Sequence, residues 1–302
     1  MLKTILLSGV AVIALAGTAL ANDEKIVDVV ASTTDVKIFG NAQAFVEGGT
    51  ADGKDLEVKT SDSYVGVKLS TDPIGMVNVF GELSMDVDIN GDGNDDITSR
   101  YGYLGVSNPV FGKLSFGKQV SQAEKFVDFG DVWMASGNAG VQKPGAKVTN
   151  SLKYENTIKD ITFGTQAQML DGATDETLDQ WQIGTSWKGI VGVNWATDEI
   201  NDINYYGIGG TYSFGPIMVA GSYTIQDTNT TDVKGYDVVL GYTLDKATIL
   251  GGFSDTDAAG DDGVITGGVH YTLYKDATLF VEADYDRDDT ETTYRGGISV
   301  SF

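Results

Sequence analysis

Cysteine is absent, histidine occurs once (His270), proline four times, and only 20 basic residues stand against 43 acidic ones. Each scarcity removes a class of function. Without cysteine there is no disulfide framework, so stability must come from size or from the sheet itself. One histidine and no thiol cannot assemble a zinc cluster or a Cys–His pair. No G-x-S-x-G or comparable frame surrounds a serine that His270 could serve as base, so the polar-face histidine reads as a wall residue. A net charge of −23 excludes a nucleic-acid binder. Past residue 21 there is no run of ~20 apolar residues, and no helix there spans a bilayer. Gly251-Gly252 and Gly267-Gly268 sit in strand-like stretches rather than opening helices, so phosphate-loop readings fail.

What is abundant is glycine (39), tyrosine (14) and phenylalanine (12), a mixture that suits many antiparallel strands joined by turns. Residues 1–21 place Lys3 before an apolar run that ends in Ala19-Leu20-Ala21. That is the layout of a secretory signal peptide, with cleavage expected after Ala21 and a mature chain of residues 22–302. From Val36 onward the chain alternates: Val77, Val79, Leu83, Met85 and Val87 fall on one face, Asn78, Glu82 and Ser84 on the other. The same rhythm carries Ile183 and Trp187, Val191 and Val193, Ile208 and Tyr212, and Val238 and Leu240. About sixteen strands of ~10 residues result, the length a tilted strand needs to cross a membrane. Short connections such as Gly215-Pro216 and Asp245-Lys246 interleave with longer acidic ones such as Asp198–Asp202, Asp227–Asp232 and Arg287–Thr292. A soluble β-sandwich also alternates, but its apolar face is its core. Here the opposite face is small and mostly uncharged (Gly, Ser, Thr, Gln, Asn), as a water-filled lumen tolerates. The fold expected is all-β, a transmembrane antiparallel barrel of sixteen strands.

The rhythm breaks after a central hairpin, Ser99–Gln119, in which Arg100, Gly102 and Leu104 share one face and Tyr101, Tyr103 and Gly105 the other. From Val120 to Thr149 no period is kept. This stretch holds Phe126, Phe129, Trp133 and Met134, too apolar to leave in water, together with the acids Glu124, Asp128 and Asp131. The last strand sets Tyr294, Ile298, Val300 and Phe302 on one face and ends on that phenylalanine.

Arg100-Tyr101-Gly102-Tyr103-Leu104-Gly105, Phe111-Gly112-Lys113-Leu114 and Gly117-Lys118-Gln119, read with the two termini, resemble the general Gram-negative porins. The resemblance implies an inward-folded constriction loop over residues 120–149, an outer-membrane location in contact with lipid and lipopolysaccharide, and a homotrimer. It also implies passive diffusion of small hydrophilic solutes and ions, with no catalytic activity. It places Arg100, and Lys147 beside it, in the basic cluster of the wall. A second arginine common in such proteins is missing, with Tyr64 or a neighbour in its place. Phe302 would be the assembly signal. The lumen-facing bases expected across from Glu124, Asp128 and Asp131 are Lys37, Arg100 and Arg295, with Lys118 and Lys147 near the loop's roots. The acidic balance adds an expectation of modest cation preference. A solute-specific channel of similar barrel would need a run of lumen aromatics, whereas Phe39, Phe45, Phe80 and Phe280 are dispersed.

A last motif carries no such resemblance. Asp88, Asn90, Asp92, Asn94 and Asp96 repeat the D-x-N-x-D-G-x-x-D spacing of calcium loops, although Ser99 stands where a bidentate glutamate would be. Structural Ca²⁺ and a plain Asn-Gly, Asp-Gly hairpin tip both fit this spacing.

Overall fold

The computed structural model describes residues 34–51, 55–73, 75–89, 97–137, 140–169, 179–258 and 262–302. The leader expected over residues 1–21, its expected cleavage site, and most of the spacing Asp88–Asp96 lie outside the described residues.

Alternation becomes strand throughout. β1 (Thr34–Gly49) opens the chain, followed by β2 (Glu57–Thr60), β3 (Tyr64–Thr71) and β4 (Asn78–Val87). The central hairpin is β5 (Ile97–Asn108) and β6 (Gly112–Val120). After one helical turn, α1 (Gln122–Phe126), come β7 (Lys147–Ile158), β8 (Ile161–Gln168), β9 (Gln180–Trp187) and β10 (Val191–Asp198). The run ends with β11 (Ile203–Phe214), β12 (Ile217–Thr228), β13 (Asp232–Leu244), β14 (Ala247–Thr256), β15 (Val264–Tyr274), β16 (Ala277–Asp286) and β17 (Glu291–Ser301). Each pairs antiparallel with its neighbours, and β17 returns to β1 from Asn41↔Ser301 to Gly49↔Thr293. The sheet therefore has no edge.

The 17 segments make a sixteen-strand barrel because β2 and β3 both oppose β1, at Ala44↔Thr60 and Asn41↔Tyr64. They are two halves of one strand interrupted over residues 61–63, where Asp62 takes φ 45°. The Ser63 hydroxyl accepts the Gln43 amide at 2.9 Å and fills the missing rung. The other seam is closed by Gly40 and Phe302, whose backbones exchange two 3.0 Å hydrogen bonds, with the Phe302 ring over the bare Cα of Gly40.

Burial shows which face is which. Along β13 the pattern alternates strictly, with Val238 and Leu240 exposed and Asp237 and Val239 buried. Gln43, Gln166, Gln182, Thr224 and Glu282 are among the most deeply buried side chains, while Ile183, Ile208, Val219 and Leu240 face out. Water-soluble sheets arrange this the other way round. An apolar exterior on a closed sheet is what a bilayer solvates.

One rim is made of tight turns such as those at residues 188–190, 215–216 and 245–246, with left-handed Lys188, Gly215 and Asp245 supplying the hairpin geometry. On the other rim the sequence reading needs correction. The ladders run on through Ile203↔Thr228 and Asp227↔Asp232, so residues read as acidic loops are strand ends, and the connections at 199–202, 229–231 and 287–290 are turns. The polar composition of these segments masked a pairing that backbone bonds alone sustain. Between β6 and β7 the chain does leave the sheet, over residues 121–146.

Candidate functional site

The segment over residues 121–146 lies along the polar, inner face of the sheet. Ser121 caps α1 by accepting the Glu124 amide at 3.0 Å. The side-chain Oε1 of Gln182 accepts the backbone amides of Gln122 (2.9 Å) and Ala123 (3.2 Å) from the same turn. Ser222 Oγ donates to the Val127 carbonyl at 2.6 Å, and Thr224 Oγ1 accepts the Gln142 amide at 2.7 Å. Small wall residues make room for the backbone. Gly192 and Gly209 are register partners, and a Cβ at either would run into the carbonyl oxygen of Phe126 or Val127. Trp133 lies over Gly252 and Gly268 in the same way. Phe126 is thereby left 1% exposed, a burial worth about 1.5–3 kcal/mol.

The far end of the segment is held by one carboxylate. Glu282 Oε1 accepts the Met134 amide at 2.7 Å, and its Oε2 accepts those of Ala135 (2.9 Å) and Ser136 (2.8 Å). His270 Nε2 lies 2.7 Å from the same Oε1. Gln43 Nε2 donates to the Met134 carbonyl at 2.6 Å from across the β1–β17 seam. Successive backbone amides converging on one anion form a strong clamp, because charge-assisted bonds in a sheltered setting exceed neutral ones.

Opposite this seat the wall is charged. Strict alternation would put Arg100 on the outer face with Gly102 and Leu104. A register shift against Ser84/Met85 inserts one extra residue into β5, so Arg100 turns inward while Tyr101 and Tyr103 keep their inward places. The guanidinium donates to Asp86 (2.7 Å) and Asp62 (2.5 Å) and stacks 4.0 Å from the centre of the Tyr64 ring. Lys147 Nζ reaches the second oxygen of Asp86 at 2.7 Å. On the loop, ligand atoms of Glu124, Asp128 and Asp131 lie within 4.8 Å of one another. Lys143 is inserted among them, 2.6 Å from Glu124 and in contact with Asp128. Glu124, Asp86, Asp62, Arg100 and Lys147 line a common recess of about 630 Å³. Asp131 keeps an exposed surface while the protein surrounds its carboxyl. That burial, with the charges of Glu124, Asp62, Asp237 and Glu282, pushes its carboxyl up to about 6.

The other expected bases separate. Arg295 joins the tip, donating to Glu47 (2.8 Å), Ser136 Oγ (3.0 Å) and Asp284, and Lys59 meets Glu47 at 2.6 Å. Lys118 does not face the cluster. Its register partner is Gly102, which puts it on the outer face beside Phe116, and its ammonium reaches the Ser99 carbonyl. The residue that points inward is the next one, Gln119, bonded to Ser115 and Ser151. Lys37 does face the inner side but lies at the turn rim, exposed, with Asp35 at 3.5 Å as its partner. Asp88 lines the recess and accepts from Thr60 at 2.9 Å, whereas Asn90, Asp92, Asn94 and Asp96 fall outside the described residues. The lumen phenylalanines form separate pairs, Phe45–Phe280 at 6.2 Å, Phe39–Tyr64 at 6.0 Å and Phe80–Tyr103 at 6.3 Å, rather than a track. Residues that sequence reasoning passed over include Asp62, Asp86 and Lys143. For the two wall acids the available signal was polar-face position beside a basic partner, and for Lys143 a base in a loop that also carries three acids.

A closed barrel, polar within and apolar without, with one chain segment laid along its inner wall, defines a transmembrane channel. A family model described as Gram-negative porin matches residues 8–291, and the chain belongs to that family, whose members make outer-membrane channels. No curated relative matches the sequence. Among solved structures, OmpF of Salmonella typhi in complex with daunomycin is similar at TM-score 0.73 and 13% identity, over 90% of this chain and 99% of that one. An anion-selective porin from Comamonas acidovorans gives 0.71 and 16%, over 89% and 100%. OmpT of Vibrio cholerae, an outer membrane protein solved in a trimer form, gives 0.69 and 17%, over 89% and 100%. At such identities the likeness is one of fold.

Proposed function

We propose that this outer-membrane channel passes small hydrophilic solutes and ions by passive diffusion, with a modest preference for cations, and that residues 121–146 set its narrowest point. The observation that carries the reading is the shared recess in which Glu124 of the loop faces Arg100 and Lys147 of the wall. Fixed charges of opposite sign across an aqueous gap produce a transverse field that orients polar solutes without binding them. Arg100 and Lys147 are both paired with wall acids, Asp62 and Asp86, whereas on the loop Lys143 pairs with Glu124 and Asp128, and Asp131 adds a third carboxylate beside them. The residual charge of the gap is negative, which favours cations. An anion-selective porin has a similar fold, so the sign proposed here rests on the charges of the gap rather than on the barrel. A homotrimer fits this reading and finds support in the trimer form of one similar structure.

Reversal potentials across planar bilayers under a KCl gradient test the reading. A cation preference that shrinks as salt rises is expected, because screening shortens the reach of the fixed charges from about 10 Å at 0.1 M to about 3 Å at 1 M. Anion preference in dilute KCl would overturn it.

A further inference from the structure

The two rims of the barrel differ in charge, and no part of the constriction accounts for that. On the rim that bears the loop's roots, Asp198, Glu199, Asp202, Asp232, Asp288 and Asp289 crowd the tight connections at 199–202, 229–231 and 287–290. The bases beside them are Lys234, held by Asp257 at 3.5 Å, and Arg287, whose guanidinium is turned to the Asp262 carbonyl at 2.7 Å. On the turn rim Lys159, Lys188, Lys246 and Lys275 alternate with Asp160, Asp245 and Asp276. Lys188 and Asp160 approach to 3.6 Å across neighbouring turns. Among the described residues one mouth is therefore strongly acidic and the other close to balanced. The connections at three places on the acidic mouth are too short to fold over it, so these carboxylates stand at the entrance itself.

We propose that this axial difference makes the channel a rectifier, conducting more current when the acidic mouth is on the positive side. The proposal rests on the reading of the chain as an open ion channel. An acidic mouth enriches cations locally and depletes anions, within about a Debye length of the surface. When the field drives cations inward from that mouth, the lumen fills from an enriched supply, and conductance rises. With the field reversed, cations enter from a mouth that concentrates neither sign, and must leave through the acidic one. The lumen then carries fewer ions and conductance falls. The transverse field at the constriction lies across the axis and gives no such directional difference.

Single-channel current–voltage curves measured with symmetric KCl test this directly. At about 0.1 M the ratio of currents at equal and opposite voltages should be about 1.5–2, and it should approach unity at about 1 M, where the Debye length is about 3 Å. Because the chain has no cysteine, a Thr230→Cys variant marks the acidic rim uniquely. Block by an impermeant thiol reagent added to one side after recording assigns the orientation of each inserted channel. The combined variant D198N/D202N/D232N/D288N should conduct with symmetric curves. Symmetric wild-type curves in dilute salt, the opposite polarity, or rectification undiminished in the four-site variant would each overturn the proposal while leaving the channel reading standing. Absence of any conductance would overturn the channel reading, and the proposal with it.

Discussion

Two stretches of the inner wall meet the same loop with different chemistry. From β9 to β14 the inward positions on which the loop rests include Gly184, Gly192, Gly209, Ser222, Thr224 and Gly252, residues with little or no side chain, and the loop's backbone and aromatic rings lie directly on them. From β3 to β7 the inward positions hold Asp62, Asp86, Arg100 and Lys147, and a recess of about 630 Å³ separates them from the loop. The first wall is a seat and the second a facing surface. Small residues let a backbone approach closely and satisfy its amides, whereas long charged side chains need room and keep water beside them. The loop is therefore fixed on one side, and the remaining opening is shaped by charge on the other.

The sharpest way to break this contrast is to fill the seat. Gly209→Val places branched carbons where the Val127 carbonyl lies, against a backbone that cannot yield without leaving the wall. Overpacking of this kind costs about 1–3 kcal/mol, enough to lift α1 and the residues after it. Single-channel conductance should roughly double as the opening widens, and larger sugars should enter in liposome swelling. Unchanged conductance and size limit would mean that the loop does not depend on this seat.

A smaller effect should follow from loosening the seat at its far end. Glu282→Ala removes the acceptor of three loop amides and the partner of His270. Bonds to a charged acceptor contribute about 1.5–3 kcal/mol each, but Gln43 and Arg295 still hold Met134 and Ser136. Conductance should rise by about half, with added open-channel noise, and limited proteolysis should cut near residue 134. A variant as quiet as the wild type would show that Glu282 is not the clamp.

On the charged wall a substitution should change selectivity and leave size alone. Arg100→Ser removes one positive charge and leaves Asp62 without that partner, while Asp86 keeps Lys147. The cation-to-anion permeability ratio should rise about twofold at low salt, with conductance nearly constant. Equal shifts in both quantities would mean that Arg100 is part of the loop's support rather than of the facing surface.

The contrast between the walls was only partly legible in the sequence. Period-two alternation placed nearly every strand, because in a membrane the outer face must be continuously apolar, but it did not show the short β2 or the closure of β17 on β1. Arg100 was recognised by its surrounding motif, yet its inward direction depends on an extra residue in β5 that period counting assigns to the wrong face. Lys118 failed for a related reason: it is one residue away from the inward Gln119, and a basic residue at a loop root does not reveal its side. The seat glycines were visible as glycines, but what they accommodate comes from a segment dozens of residues distant. In the sequence Glu282 is only an acid on a polar strand face. Its role as acceptor for three amides exists only once the loop is in place.

The smallest expected effect lies between the two walls, at Asp131. Its carboxyl is pushed up to about 6, first by burial and then by Glu124, Asp62, Asp237 and Glu282, so it is ionised above that value and neutral below it. As pH falls from 7 to 5 the gap therefore loses one negative charge, and cation preference should decline, by about a quarter at low salt. The sign for stability runs the same way as the proton uptake. Between about pH 4 and 6 the folded chain binds more protons at this site than an unfolded one would, so docking of the loop strengthens as pH falls through that window. Asp131→Asn tests the assignment. If Asp131 is the titrating group, the variant has the reduced preference already at pH 7 and changes little on acidification. A variant that keeps the full pH response would show that Asp131 is not the group behind it, and that the opening does not titrate in this window.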